Sequence, residues 1–432
     1  MNRILTALVL MAAFAVPFVG TSHEPVLAQG GNVVVLSGDI TQNVTLKKKK
    51  TYLLQGGVFV RSGATLKIQK GTTIFGDTGS FLCIDRGGKI VAKGTAAKPI
   101  VFTSAQPANQ RRRGDWGGII FNGNAPLNIP GGVAQGEGGT GEYGGTNGED
   151  NQGTLRYVRV EFGGFPISPD NELNCVAFQG TGSGTTVEFV EALNGGDDGF
   201  EWFGGTVNCR NIVSIGSQDD SFDWTFGWNG MVQFAVVQQR ADGSGVGDRG
   251  IEADNNETDF NLTPRSEPLW SNVTLVGDTD PTFAGSTQGM ELRRGTGGQF
   301  RNFIVMNFKN NGTRITDQAT YDQYSASALD LQGFIYFNNK NGANLEGTTL
   351  AAISAKGLPE LKILNQTDPL LANPASKTAP DFRPTAASPA LDAANIAPKF
   401  ADSFFVTANY VGAFDSTNDW LAGWTSFASP AQ

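Results

Sequence analysis

Five acidic residues recur in one sequence context: small, apolar, acidic, apolar. The copies are Gly199-Phe200-Glu201-Trp202, Ser221-Phe222-Asp223-Trp224, Gly250-Ile251-Glu252-Ala253, Gly289-Met290-Glu291-Leu292 and Ala328-Leu329-Asp330-Leu331. In an extended strand the flanking apolar side chains point one way and the acid the other. If successive copies lie on neighbouring strands, about 4.8 Å apart, Glu201, Asp223, Glu252, Glu291 and Asp330 form one acidic ladder on an outer face. Asp197, Asp198, Asp219, Asp220 and Asp248 sit just upstream and add to the density. Carboxylates at that distance repel by about 1 kcal/mol in water and by several at a protein-like dielectric. Solvent, an arginine such as Arg293, raised pKa values or a bound cation must offset this. Calcium suits an oxygen-only cluster, and it is the one cofactor the pattern suggests. Its candidate ligands are Asp197, Asp198, Glu201, Asp219, Asp220, Asp223 and Glu252.

Aromatic residues crowd the same two repeats: Phe200, Trp202, Phe203, Phe222, Trp224, Phe226 and Trp228. Alternation places them in stacks inside the fold. The competing expectation is an exposed platform for sugar rings at Trp202, Trp224 and Trp228, because indole pairs an apolar face with a polar edge.

Other chemistry finds little support. The only histidine, His23, lies in a segment expected to be removed. Neither a Gly-x-Ser-x-Gly motif, a zinc-type His or Cys cluster nor a Walker loop is present. Gly136-Glu137-Gly138-Gly139-Thr140-Gly141 matches a dinucleotide fingerprint by letters alone, with no helix to follow. Arg113-Gly114-Asp115 reads as a turn. Asp219-Asp220 would have to divide into acid and base to cleave a glycoside. A calcium-dependent lyase would need a base beside the metal, for which Arg293 or Arg294 is the candidate.

The elements that must position these residues are short strands. Val33 to Leu36, Tyr52 to Leu54, Val58 to Arg61, Thr65 to Ile68 and Thr72 to Phe75 follow one another with almost no room for helices. The 57 glycines suit the tight turns between them. Further on, Tyr157-Val158, Phe189-Val190, Asn211-Ile212, Phe234-Ala235, Asn272-Val273 and Asn302-Phe303 repeat at spacings of 32, 22, 23, 38 and 30 residues. A minimum period near 22 with inserts is too short for helical solenoids or propeller blades. The expected fold is therefore all-β: a right-handed parallel β-helix with long loop insertions and a C-terminal cap. Gly131 to Gly153 reads as one such loop, and Thr349 to Ala355 as a short helix. Tyr410 to Phe414 and Trp420 to Phe427 read as a strand plus an aromatic cap over the last coil.

Three segments are expected: a secretion signal over 1–28, the β-helix over 29–346, and final coils with a capping segment over 347–432. Arg3, the apolar run Ile4 to Gly20 and Val26-Leu27-Ala28 carry the first of these. The mature chain should then be exported and without a transmembrane segment, in the periplasm, at the outer cell surface or outside the cell. A net charge of −9 excludes nucleic acid as an expected partner. Lys47 to Lys50 and Arg111 to Arg113 are short solvated runs. Cys83, Cys175 and Cys209 read as buried thiols, although export would permit a Cys175–Cys209 bond.

Several stretches resemble a family of exported bacterial right-handed β-helix proteins, common in Bacteroidetes-like genomes and often named only as lipoproteins or hypothetical proteins. They are Gly63-Ala64-Thr65-Leu66, Gly87-Gly88-Lys89-Ile90, Lys98 to Thr103, Trp116-Gly117-Gly118-Ile119, Leu155 to Glu161, Asp197 to Glu201 and Ser388 to Asp392. The resemblance spans roughly residues 55 to 430 and implies a surface or envelope location with no assigned reaction. The lipid-attachment cysteine of some relatives is absent here. The leading expectation is a non-catalytic binding, adhesive or structural role, with polysaccharide or cell-surface components as partners. Its rival is a calcium-assisted polysaccharide lyase or glycoside hydrolase, and a third reading is self-assembly.

Overall fold

The computed structural model describes residues 33–168, 171–241, 247–339 and 347–431; the proposed signal sequence lies outside them. The strands stack in parallel as a right-handed β-helix whose coils present three faces. In the early coils each face has its own strand: Thr65–Ile68, then Thr73–Gly76, then Phe81–Ile84. From Gly153–Glu161 onward one long strand covers the first two faces, and a short strand such as Phe200–Phe203 covers the third.

The aromatic-or-Asn repeat marks the corner where the long strand passes from the first face to the second. Tyr157, Phe189, Asn211, Phe234, Asn272 and Asn302 all have positive φ, between 50° and 64°, in a register shared from coil to coil. Asparagine tolerates this left-handed conformation better than most residues. The aromatic members gain from stacking instead, since Tyr157 and Phe189 lie 4.4 Å apart at 11°.

Side chains alternate about this corner as a period of two requires. Val190, Ile212, Ala235, Val273, Phe303 and Phe334 align inward on the second face and are fully buried. On the third face Phe178, Trp202 and Trp224 align inward as well. The interior is one continuous core running through every coil.

At the far end Ile363–Leu364 pairs with the last long strand, Leu329–Phe337. The expected short helix spans Gly347–Lys356 and buries Ile353 against the final coil. The later aromatic segment does not sit there and does not form the expected strand. Residues 397–431 instead run lengthwise along the flank. Asn302 accepts the Ala397 N–H at 2.7 Å, Asn272 donates to Tyr410 O at 2.9 Å, and Arg159 donates to Trp424 O at 3.1 Å. The reason is a second apolar stripe outside the coil. Val213, Val236, Ile304 and Ile335 point outward yet are covered by Val411, Leu421 and Trp424.

Candidate acidic cleft

Register alone assembles most of the ladder. Glu201 pairs with Asp223, Asp223 with Glu252, and Glu252 with Glu291 on the third face. Asp330 does not join them. It belongs to a long strand and pairs with Gln299 on another face. The slot after Glu291 is filled by Arg314, whose guanidinium lies 3.1 Å from the Glu291 carboxylate. The letters of the fifth copy match, but a helix at Gln318–Ser325 has shifted the chain out of phase.

The ladder was expected as an open outer face, and there the structure corrects it. Glu201, Glu252 and Glu291 are 9%, 7% and 4% exposed. The Gly131–Gly153 excursion folds back as a hairpin, Val133–Gly136 with Gly141–Gly144. It roofs a cleft of about 340 Å³ lined by Gln135, Glu137, Tyr143, Gln179, Glu201, Asp223, Glu252, Asp254, Arg293 and Arg294, with Phe203 and Phe226 among them.

The upstream acids lie in the turns entering the short strands, each turn tied to the next. Asp198 accepts the Asp220 N–H at 2.8 Å, and Asp220 accepts the Arg249 N–H at 2.7 Å. Asn174 steadies Glu201 through a 2.5 Å bond from Nδ2. Three groups result whose carboxylate oxygens lie within 4.8 Å of one another: Asp197, Asp198 and Asp219; Asp198, Glu201 and Asp223; and Asp219, Asp220 and Asp248.

Arginine divides the acidic cluster into two halves. Arg249 contacts Asp220 at 3.4 Å, Asp248 at 2.9 Å and Glu252 at 2.5 Å, and also bonds Glu291. Arg293 holds Glu252 and, at 2.8 Å, Asp254, which Arg294 contacts at 2.8 Å as well. Among the described residues Asp198, Glu201 and Asp223 form no ion pair. Burial, and then a neighbouring carboxylate (Asp197 for Asp198, Asp223 for Glu201, Asp254 for Asp223), pushes these three well above the ordinary carboxylate range. Burial followed by Asp219 raises Asp197 to about 8, and burial followed by Glu172 raises Glu137 to about 7. Burial pulls Arg249 down, but Asp220, Asp248 and Glu291 outweigh it and hold the proton more firmly.

This is the environment a hard cation relieves, and one feature shows room for it. Asp223 Oδ1 and Gln179 Oε1 are both inaccessible and without a hydrogen-bond partner, and both residues line the cleft. Buried oxygens without partners are uncommon and costly. The donors are oxygens only, as calcium prefers. Of the seven candidate ligands, Asp198, Glu201 and Asp223 converge without an ion pair to any of them among the described residues. Asp197 and Asp219 flank them, while Asp220 and Glu252 already hold Arg249.

Trp202, Trp224 and Trp228 take no part in this cleft. All three are fully buried, so they cannot serve as an exposed sugar platform. Trp202 stacks on Trp228 at 4.6 Å and on Phe178 at 5.9 Å, and Trp224 stacks on Trp270 at 5.7 Å. The alternation that turns the acids outward turns the indoles in. Aromatic surface in the cleft comes instead from Tyr143, Phe203 and Phe226.

Candidate proton-transfer groups are poorly placed. The Arg293 guanidinium, lowered by burial and then by Arg294 to about 10, remains protonated near neutrality and is held by Glu252 and Asp254. Asp219 and Asp220 each bring an oxygen within 4.8 Å of the other and of Asp248, and Asp220 is already held by Arg249. Neither lysine nor histidine lines the cleft among the described residues. Cys83, Cys175 and Cys209 are free, buried thiols.

Sequence reasoning missed Glu137, Asn174, Gln179 and Asp254. Glu137 lies in a low-complexity stretch without register, so nothing in the letters places it over the ladder. Arg249 carried a usable signal, standing three residues before Glu252 at the entry of the same repeat.

A family model described as a pectate-lyase like beta helix domain matches residues 38–367. No curated protein matches the chain. Among solved structures, the crystal structure of pectate lyase Pel9A is similar at 13% identity, over 82% of this chain and 88% of that chain, with a TM-score of 0.37.

Proposed function

The chain belongs to the pectate-lyase-like β-helix domain family, and from that premise we propose an exported, calcium-holding β-helix with a non-catalytic binding role. The observation that carries the reading is the converging trio Asp198, Glu201 and Asp223, the first two buried and the third half-buried, with none of the three in an ion pair among the described residues. Calcium there would neutralise the repulsion and supply an electrophilic centre for ligand oxygens. The cleft mixes carboxylates, amides and aromatic edges, a lining suited to hydroxyl-rich polymers such as polysaccharide. Every arginine around the ladder is already engaged by carboxylates, which favours binding over proton abstraction.

Isothermal titration of the chelated protein with Ca²⁺ tests the cation. Heat is expected from the parent chain and none from a Glu201→Gln, Asp223→Asn double variant; a silent parent ends the reading. The same site predicts a pH dependence. Carboxyls raised in the folded state, such as Asp197 at about 8, bind protons that the unfolded chain has already released. Without cation, the contribution of these carboxyls to stability should be fully present below about pH 4, the unfolded range, and be lost as pH rises toward about 8. Calcium removes that penalty, so its effect on the melting temperature should be larger at pH 8 than at pH 5. An equal shift at both pH values would show that the ion binds elsewhere.

The binding role is tested by retention on immobilised acidic and neutral polysaccharides, with and without chelator. Retention with no new ends is the expected result. Release of unsaturated or reducing ends would replace this reading with a calcium-assisted lyase or hydrolase.

A further inference from the structure

The roof of the cleft is attached at its base and where its return strand begins, and more lightly at the turn between its two strands. At the base, Gly144 donates to Gly123 O at 2.9 Å; beside the turn, where the return strand begins, Asn122 donates to Thr140 O at 2.8 Å. Tyr143 is buried beneath it. At the tip, a 3₁₀ turn at Glu137–Gly139 has one side-chain tether, Asn171 Oδ1 accepting from Gly138 N at 2.9 Å. Glu137 faces the ladder across the same cleft as Glu201 and Asp223. Its charge therefore opposes closure of the strand pair that carries it.

Gln179 is the second, independent observation. It is 1% exposed, its Oε1 has no partner, and that oxygen lies so close under Gly136 that a β-carbon there would collide with it. A buried amide oxygen left unsatisfied between roof and floor marks a place for a ligand that is not protein. The 133–144 hairpin itself carries no arginine or lysine, and its other acid, Glu142, pairs with Arg86 at 2.5 Å.

Resting on the calcium reading above, we propose that the cation also latches the 133–144 hairpin over the ladder, with Gln179 Oε1 facing the ion and Glu137 acting as the group whose repulsion releases the roof when the ion leaves. The cleft would then open to a polymer only at low calcium, and hold it once calcium returns.

Hydrogen exchange of the full mature chain at pH 8, in Ca²⁺ and in EDTA, tests this together with titration heats. Peptides spanning 133–144 should exchange at least about tenfold more slowly in Ca²⁺. In Glu137→Gln the heat should persist, but the hairpin should be protected in both conditions, with a calcium effect below about twofold. Heat from the parent without a change in 133–144 exchange would overturn the latch and leave the calcium site standing. No heat at all would remove both. Loss of heat in Glu137→Gln would make Glu137 a ligand and overturn its role as the releasing group.

Discussion

Ending the chain after Leu364 is expected to leave a protein that expresses but aggregates, binds hydrophobic dye, and melts far below the parent. The stripe of Val213, Val236, Ile304 and Ile335 faces away from the core and is fully buried only because the C-terminal segment lies on it. Uncovering an aliphatic side chain of this size costs roughly 1.5 to 3 kcal/mol, so four cost roughly 6 to 12 kcal/mol. That is comparable to the whole stability of a typical domain. Polar clamps are lost as well: Glu191 accepts the Ser426 N–H at 2.9 Å, Asn194 donates to Ala428 O at 2.8 Å, and Gln233 both donates to and accepts from Val406. Size-exclusion chromatography and thermal melting read the outcome. A monodisperse truncated chain that melts within a few degrees of the parent would mean that the tail is ornamental.

That segment shows where sequence reading stops. Its aromatics, Trp420 and Trp424, declared that something apolar must be covered, but not what. They pack on Tyr157 and Phe189, more than 230 residues earlier, and no local rule reports a contact of that span. By contrast, the coil itself was legible. Inward and outward rows follow from a period of two, and the corner residues from Tyr157 to Asn302 recur because each coil must bend at the same point. The first four acids of the ladder were legible for the same reason. Asp330 was not, because four matching letters cannot show that Arg314 has already taken the slot. The indoles were read both ways, and register decides: a residue next to an outward acid on a strand points in. Exposure of the acids was misread because the glycine-rich excursion has no periodicity from which its return over the cleft could be inferred.

Arg249 is the residue whose loss should matter most to the acidic ladder. It is 20% exposed and contacts Asp220, Asp248, Glu252 and Glu291, from the same and adjacent coils. In effect its guanidinium is a resident cation for the third acidic group, Asp219, Asp220 and Asp248. Arg249→Met keeps the apolar stem and removes the charge, leaving buried carboxylates uncompensated; breaking such a network costs roughly 3–5 kcal/mol. The variant should therefore melt far lower than the parent in EDTA. It should also gain more from calcium, because three carboxylates within 4.8 Å of one another become a second oxygen site once the guanidinium has gone. Binding at a hundred times the dissociation constant returns about 2.7 kcal/mol, so rescue should be substantial but incomplete. Arg249→Lys, a point charge without the guanidinium fork, should fall between the two in EDTA and show less rescue. Titration should find one additional calcium equivalent in the methionine variant alone. Should Arg249→Met prove as stable as the parent in chelator, or respond to calcium no more than the parent does, the guanidinium is not standing in for an ion, and the division of the acidic cluster into an arginine-filled half and a cation-seeking half fails with it.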